Sequence, residues 1–398
     1  MRTSKTLVVA GSVAAAATAA GLLAASAIAA PAAPVHNSHT ARPVGSRDGL
    51  PSYSVRAILN GAHLHHKNRH TGKNEALTKP DDLTQYGGNL FTAFQNGVGP
   101  QGEPATDGNT DSTIVELAQD GSVLGQWDVT GKVDGLTANP DTGQIVATVN
   151  EDAKSSLYTV DPGAGITHYA YNAPLPHNGG TDGISFLRGQ MLVSASAPGT
   201  SGGASAPNAT YPAVYSVTLN ATTKVATAKA YYGDEADARL ANQGHHLASD
   251  VDLALTDPDS SAIVPSRAPR FRGDYVLNSQ GDQELIFSSN PGSLWVLKVS
   301  QSVDDTAWAT SWGGKLYATD PGADTVSVID SRLFWPGVAY VAVTPCNSNS
   351  APSTCPAPPQ FPANYLGQLN MSTGQVTPVH VYGGTLHPVG LVFVDGGN

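Results

Sequence analysis

The sequence predicts an all-β fold, a β-propeller built of four-stranded antiparallel blades. Three observations predict it: β-branched and aromatic runs of strand length recur along the chain, an Asp-led opening repeats at roughly fifty residues, and 42 glycines with 28 prolines supply many turns. Six blades fit best, with five and seven as the alternatives. A chain of 398 residues, 40% hydrophobic and only 13% charged, can bury a core of that size.

Met1 to Ala29 carries Arg2 and Lys5, then an Ala/Leu/Val-rich run from Leu7, then Ala27-Ile28-Ala29, which matches a small-residue cleavage site. This is the pattern of a secretory signal cut near Ala29. Ala and Gly dominate the run, which argues against a membrane anchor, and no later segment has the length and apolarity to span a bilayer. A secreted chain with no membrane attachment after cleavage is expected. Residues 30–51 are rich in Ala, Pro and polar residues without an apolar period, so a disordered leader should precede a single propeller domain over 52–398.

Loss of Arg2 and Lys5 leaves 19 basic residues against 32 acidic ones, a formal charge of −13. That sign argues against nucleic acid and anionic membrane surfaces as partners. Cations, neutral sugars, other small molecules and extracellular partners remain, and the oligomeric state is open. Cys346 and Cys355 enclose a polar loop, and in an exported chain a disulfide that clips it is expected.

The repeat is carried by its openings. Val133-Asp-Gly-Leu-Thr-Ala-Asn-Pro140 matches Val251-Asp-Leu-Ala-Leu-Thr-Asp-Pro258, with related stretches at Pro80-Asp-Asp-Leu83, Thr181-Asp-Gly-Ile184 and Val303-Asp-Asp-Thr306, and an acid-free one at Pro388-Val-Gly-Leu391. The acids Asp81, Asp134, Asp182, Asp252 and Asp304 fall 53, 48, 70 and 52 residues apart, a period near fifty with one insertion.

Each opening leads into strand-like runs. The first unit continues with Asn89 to Phe94, Thr113 to Leu117 and Val123 to Val129; the second with Gln144 to Asn150, Ser156 to Asp161 and Ile166 to Tyr171; the third with Gln190 to Ser196, Ala213 to Leu219 and Val225 to Tyr231. Four strands per repeat is the content of a propeller blade, whose radial packing covers sheet edges. In the fifth unit Lys315 to Thr319 and Thr325 to Ile329 should follow Asp304 as second and third strands. A hairpin from Asn364 to Tyr382 comes next, and Pro388 to Val394 reads as a first strand without followers. Tyr53 to Leu59 is expected to supply a missing strand, so both termini would close the ring.

Alternating strand direction puts the short first-to-second and third-to-fourth turns on one face and the long connections on the other. Long loops on a rigid scaffold are where binding groups collect. The five repeating acids begin the innermost strands at that face and should ring the mouth of the central channel. They are the candidate metal ligands, and a hard divalent cation, calcium first, suits them. The competing reading is structural: Asp at such a position accepts backbone amides in an Asx-type turn, and a device that repeats with the blade is expected to be structural.

Histidines break the repeat. His177, His245, His246 and His387 fall in connections leading to first strands, where they serve as candidate ligand-binding, metal-ligating or acid–base groups. Asn150 and Glu151 are further ligand-binding candidates near the mouth. His63, His65, His66 and His70 read as a solvated stretch. Asp107-Gly-Asn-Thr-Asp111 lacks the Gly and Glu of a helix-loop-helix calcium loop. Arg267, Arg270 and Arg272 form the basic cluster, free to pair with an anion or with neighbouring acids. Asp234 to Leu240 reads as a short helix that could lie over the mouth.

The Asp-Gly-Leu/Ile openings with Asn-Leu-Phe or Lys-Leu-Tyr second strands resemble the β-propeller superfamily of NHL-repeat proteins and the SMP-30/gluconolactonase group, from about Thr78 to Val394. The lactonase group holds a divalent cation near the channel with Glu, Asn and Asp. Here the first unit presents Asp81 in place of Glu, the Asn ligands have no matching positions, and no catalytic residue carries over. His177 and His245 give a second likeness, to virginiamycin B lyase-type propellers, which use His near a metal. The expected function is binding of a small molecule or extracellular partner on the long-loop face. The alternative is a metal-dependent hydrolase, lactonase-like, or a lyase at the channel mouth.

Overall fold

The structure, a computed structural model, describes residues 52–176, 179–196, 211–242, 250–344 and 364–396. The cleavage site near Ala29, the leader, and Cys346 with Cys355 lie outside the described residues. The described chain is all-β, with a single helical turn at Gly61–His63. No helix in it is long and apolar enough to cross a membrane.

The described strands form sheets of eight, six, five, four, four and two strands, within which four-stranded antiparallel units recur. Unit 1 runs Pro80–Tyr86, Asn89–Phe94, Asp111–Leu117 and Val123–Thr130. Unit 2 runs Val133–Ala138, Ile145–Val149, Ser156–Asp161 and Gly165–Tyr171. Unit 3 runs Ile184–Leu187, Gln190–Ser194, Pro212–Asn220 and Val225–Gly233, and a two-residue parallel contact of its last strand with that of unit 2 merges both into one eight-stranded sheet. Unit 4 runs Pro258–Ile263, Tyr275–Ser279, Glu284–Asn290 and Ser293–Lys298. The segment read as a helix is a strand, Asp237–Leu240, which pairs parallel to Ser293–Lys298 and antiparallel to Asp250–Asp252. Its alternating burial follows from the two-residue period of a strand, which replaces the helical one.

Units 5 and 6 are interleaved, which corrects the linear order expected after Asp304. Unit 5 pairs Val303–Trp308 with Ala339–Val343, then Tyr365–Leu369 and Val376–Pro378. Lys315–Asp320 and Thr325–Ser331, placed between them in sequence, belong to unit 6, beside Leu391–Val394 on one side and Tyr53–Asn60 on the other. Local strand patterns cannot reveal this exchange, because the pairing partners lie about 75 residues downstream for Lys315–Asp320 and at the far N-terminal end for Thr325–Ser331.

Second and third strands are buried on both faces, as in Asn89–Phe94, whereas the outer strand Val123–Thr130 is largely exposed. The cause is that apolar side chains pack between units as well as within them. Each of six core clusters is shared by two consecutive units, from Phe91, Val133 and Tyr158 between units 1 and 2 to Leu83, Tyr317 and Val328 between units 6 and 1. The six first strands likewise touch their neighbours in order, and that of unit 6 touches that of unit 1.

The Asp-Gly openings now have a physical reason. First strands approach so closely that a Cβ at Gly135 would run into the Asp182 carbonyl, one at Gly183 into the Asp259 carbonyl, and one at Gly390 into the Asp81 carbonyl. Glycine is therefore required for the contact between units. Gly135→Ala should destabilise by about 1–3 kcal/mol through overpacking, read as a lower urea midpoint; an unchanged midpoint would contradict this packing.

Candidate functional site

The four openings at Pro80, Val133, Pro258 and Val303 each carry a β-bulge, with register shifts between Pro80 and Leu83, Val133 and Leu136, Pro258 and Ser261, and Val303 and Thr306. A bulge leaves two residues out of the ladder and re-aims their side chains. Here it frees the acid for the channel, while its backbone ties adjacent units together. Thr148 Oγ1 donates to the Asp182 carbonyl at 2.6 Å, Ser194 Oγ to that of Asp259 at 2.7 Å, Asn278 Nδ2 to that of Asp304 at 2.9 Å, and Thr319 Oγ1 to that of Asp81. The structural duty expected of the acids is thus carried by their main chain.

Carboxylates do serve structure in the second residue of each acidic doublet. Asp82 accepts the N–H of Leu83 and, across units, of Leu136, both at 2.7 Å. Asp305 accepts those of Thr306 and, across units, of Leu391, both at 2.6 Å. These are the Asx-type contacts anticipated for their neighbours Asp81 and Asp304.

Asp81, Asp82, Asp134, Glu151, Asp182, Asp257, Asp259, Asp304 and Asp305 line one cavity of about 160 Å³, with Lys132 as its basic member. The register of the fourth unit differs from the sequence alignment: Asp259, in Pro258-Asp-Ser, takes the ring position expected of Asp252. Asp252 is exposed on the short outer strand and hydrogen-bonds Asp237, whose pKa that contact raises. The misalignment arose because Val251-Asp252 mimics Val133-Asp134, whereas the strand proper begins seven residues later, as it does at Pro80-Asp81.

Lys132 Nζ lies 2.6 Å from Asp134 Oδ1 and 2.5 Å from Glu151 Oε1, and Gln95 Nε2 donates to Asp134 Oδ1 at 3.1 Å. Asp134 is 4% exposed, and its Oδ2 has no hydrogen-bond partner among the described residues. Burial disfavours the Lys132 ammonium, yet Asp134, Glu151 and Asp81 outweigh it and hold its pKa well above the ordinary value. One ammonium cannot neutralise nine acids. Burial, followed by mutual repulsion, pushes Asp134, Asp182, Asp259 and Asp304 well above the usual carboxylate range. Burial likewise raises Asp81 to about 7, against the pull of Lys132, and Asp305 to about 6, against its two backbone donors. The carboxyls of Asp182 and Asp259 also face each other, a contact that raises Asp259 further and offsets part of the rise at Asp182.

Of the remaining candidates, Glu151 reaches the cavity, while Asn150 shapes the loop: its φ is 68° and its Oδ1 accepts the Lys132 N–H at 3.0 Å. His387 stays outside the lining, and its N–H donates to Asp320 Oδ2 at 2.8 Å. His177, His245 and His246 lie outside the described residues. Arg270 donates to the Ala241 and Met371 carbonyls and Arg272 to that of Ala268, so their partners are main chain. His66 is buried rather than solvated. Sequence reasoning passed over Lys132, Asp259 and Gln95, although Lys132 stands two residues before Asp134.

Among the described residues no three His, Asp or Glu side chains already converge into a metal cage. The donor set is nevertheless all oxygen, which suits calcium's irregular, partly hydrated coordination better than zinc's closed nitrogen and sulfur shell.

No protein-family model matches the chain, and no curated protein matches it in sequence. Among solved structures it is similar to virginiamycin B lyase from Staphylococcus aureus, at 9% identity and TM-score 0.43 over 85% of this chain and 92% of that one. A protein from Bacteroides uniformis, provisionally described as a 6-phosphogluconolactonase, matches at 12% identity and TM-score 0.41 over 83% and 94% of the two chains. A Lactobacillus plantarum protein matches at 8% identity and TM-score 0.41 over 87% and 100%. Likeness at this level says nothing about chemistry.

Proposed function

We propose that the chain is an exported six-bladed β-propeller, closed by strands from both ends, that binds a divalent cation at its channel mouth as the anchor for a small-molecule ligand. Six core clusters shared between consecutive units support the ring. The cation reading is carried by Asp134, a buried carboxylate with one unpartnered oxygen in a cavity of nine acids and one ammonium. Calcium is the cation of choice for such oxygen donors.

Titrating chelator-stripped protein with calcium chloride in a calorimeter tests this. One ion per chain should bind, and a hundredfold excess of free ion over its Kd should stabilise the fold by about 2.7 kcal/mol, seen as a higher melting temperature. No heat and no shift would remove the proposal.

A second reading, a metal-dependent hydrolase, is favoured by Asp81, pushed to about 7, and by the facing carboxyls of Asp182 and Asp259, both raised well above the usual range by burial. Groups that exchange protons near neutrality suit general acid–base work. Calcium-dependent turnover of a lactone panel, falling about 10²- to 10⁴-fold in Asp81→Asn, would establish it. Binding of calcium without turnover would leave the binding module.

A further inference from the structure

The channel has a second compartment beyond the acid mouth. Asp82, Ser260 and Asp305 line both and divide them. The far compartment, about 340 Å³, falls within the size range of small-molecule sites, at its small end. Its walls mix apolar residues such as Leu136, Phe186 and Phe393 with the hydroxyls of Thr84 and Thr137 and with Thr310, whose Oγ1 donates to Asp395. The only charged side chains in its lining are Asp82 and Asp305, and both oxygens of each are occupied by backbone N–H groups. Nothing there recruits a charged ligand.

Two exposed tryptophans stand on segments that adjoin lining residues. Trp312 and Trp335 are 49% and 43% exposed and meet edge to face with centroids 4.5 Å apart. Trp312 follows Thr310 by two residues, and the Gly337 N–H bonds the Ala309 carbonyl at 2.7 Å, bringing the Trp335 turn beside the same segment. Phe334, next to Trp335, packs against the lining residue Phe393 at 5.2 Å. Large aromatic surface left in water near a hydroxyl-bearing cavity whose two carboxylates are taken up by backbone N–H groups marks a recognition site.

From this we infer a second binding site, at the end of the channel opposite the acids, that takes a neutral sugar ring. Its C–H face would lie on the tryptophans, and its hydroxyls would meet the threonines. The site stands independently of the cation reading.

Saturation-transfer NMR and calorimetry with glucose, galactose, mannose and N-acetylglucosamine test it, with cationic glucosamine as the comparison. At least one neutral sugar should bind and quench tryptophan fluorescence. The affinity should fall tenfold or more in the Trp312→Ala/Trp335→Ala double variant, with its melting temperature measured alongside to confirm folding, and in Thr84→Phe, which fills the cavity from one wall. Absence of transfer from all four neutral sugars, or binding that survives the double variant unchanged, would overturn the inference. So would binding confined to glucosamine, which belongs with the acid mouth.

Discussion

Asp305→Ala is expected to cost about 2–5 kcal/mol of stability, whereas Asp304→Asn, one residue away, should leave the metal-free protein as stable as before or more so. Asp305 accepts two backbone N–H groups at 2.6 Å, one of them from the last unit, and its removal leaves both donors buried without a partner. Each such loss costs about 1–3 kcal/mol. Asp304 has its carboxyl in the crowded cavity, repelled by Asp81, Asp305 and Asp182. Neutralising it relieves that repulsion and removes one carboxylate from the proposed cation site. The two variants should therefore separate: denaturant unfolding shows the first, and a calcium affinity at least tenfold weaker shows the second. Equal destabilisation by both would mean that the acids have no division of labour.

Metal-free protein should lose stability as pH rises from about 4 to about 7. The folded state keeps its cavity carboxyls protonated where the unfolded chain, with the ordinary value of 3.8, has released them; Asp305 holds its proton to about 6 and Asp81 to about 7. More protons on the folded state means that stability falls with pH, by about 1.4 kcal/mol per pH unit for each proton of difference. The contribution is complete below 3.8 and lost once pH passes the folded values. Calcium competes with those protons, so saturating calcium should abolish the slope or reverse it. Melting curves at pH 5 and pH 7, with and without calcium, measure this. A metal-free protein more stable at pH 7 than at pH 5 would contradict the account.

Much of the fold was legible because strand patterns and turns are local. Tyr53 to Leu59 was recognisable as a strand in need of partners, and it pairs with Thr325–Ser331. The interleaving of units 5 and 6 was not legible, since it depends on which distant strand each edge meets. The insertion before Pro258 displaced the fourth acid, because Val251-Asp252 imitates an opening that its exposed position on an outer strand does not fulfil. Sequence also could not divide Asp81 from Asp82, or Asp304 from Asp305. Which member of a doublet turns its oxygens to backbone N–H groups depends on a bulge, and bulges leave no reliable mark in residue type. Lys132 was invisible as a site residue for a related reason: its meaning comes from Glu151, which arrives from the next loop.

The central claim is that the acid mouth holds a cation, and the most direct measurement is a crystal structure of the protein grown with calcium chloride, with an anomalous difference map. One peak is expected in the cavity, within about 2.3–2.6 Å of an Asp134 carboxylate oxygen. A mouth with no peak, or peaks confined to the surface pair Asp237 and Asp252, would contradict it.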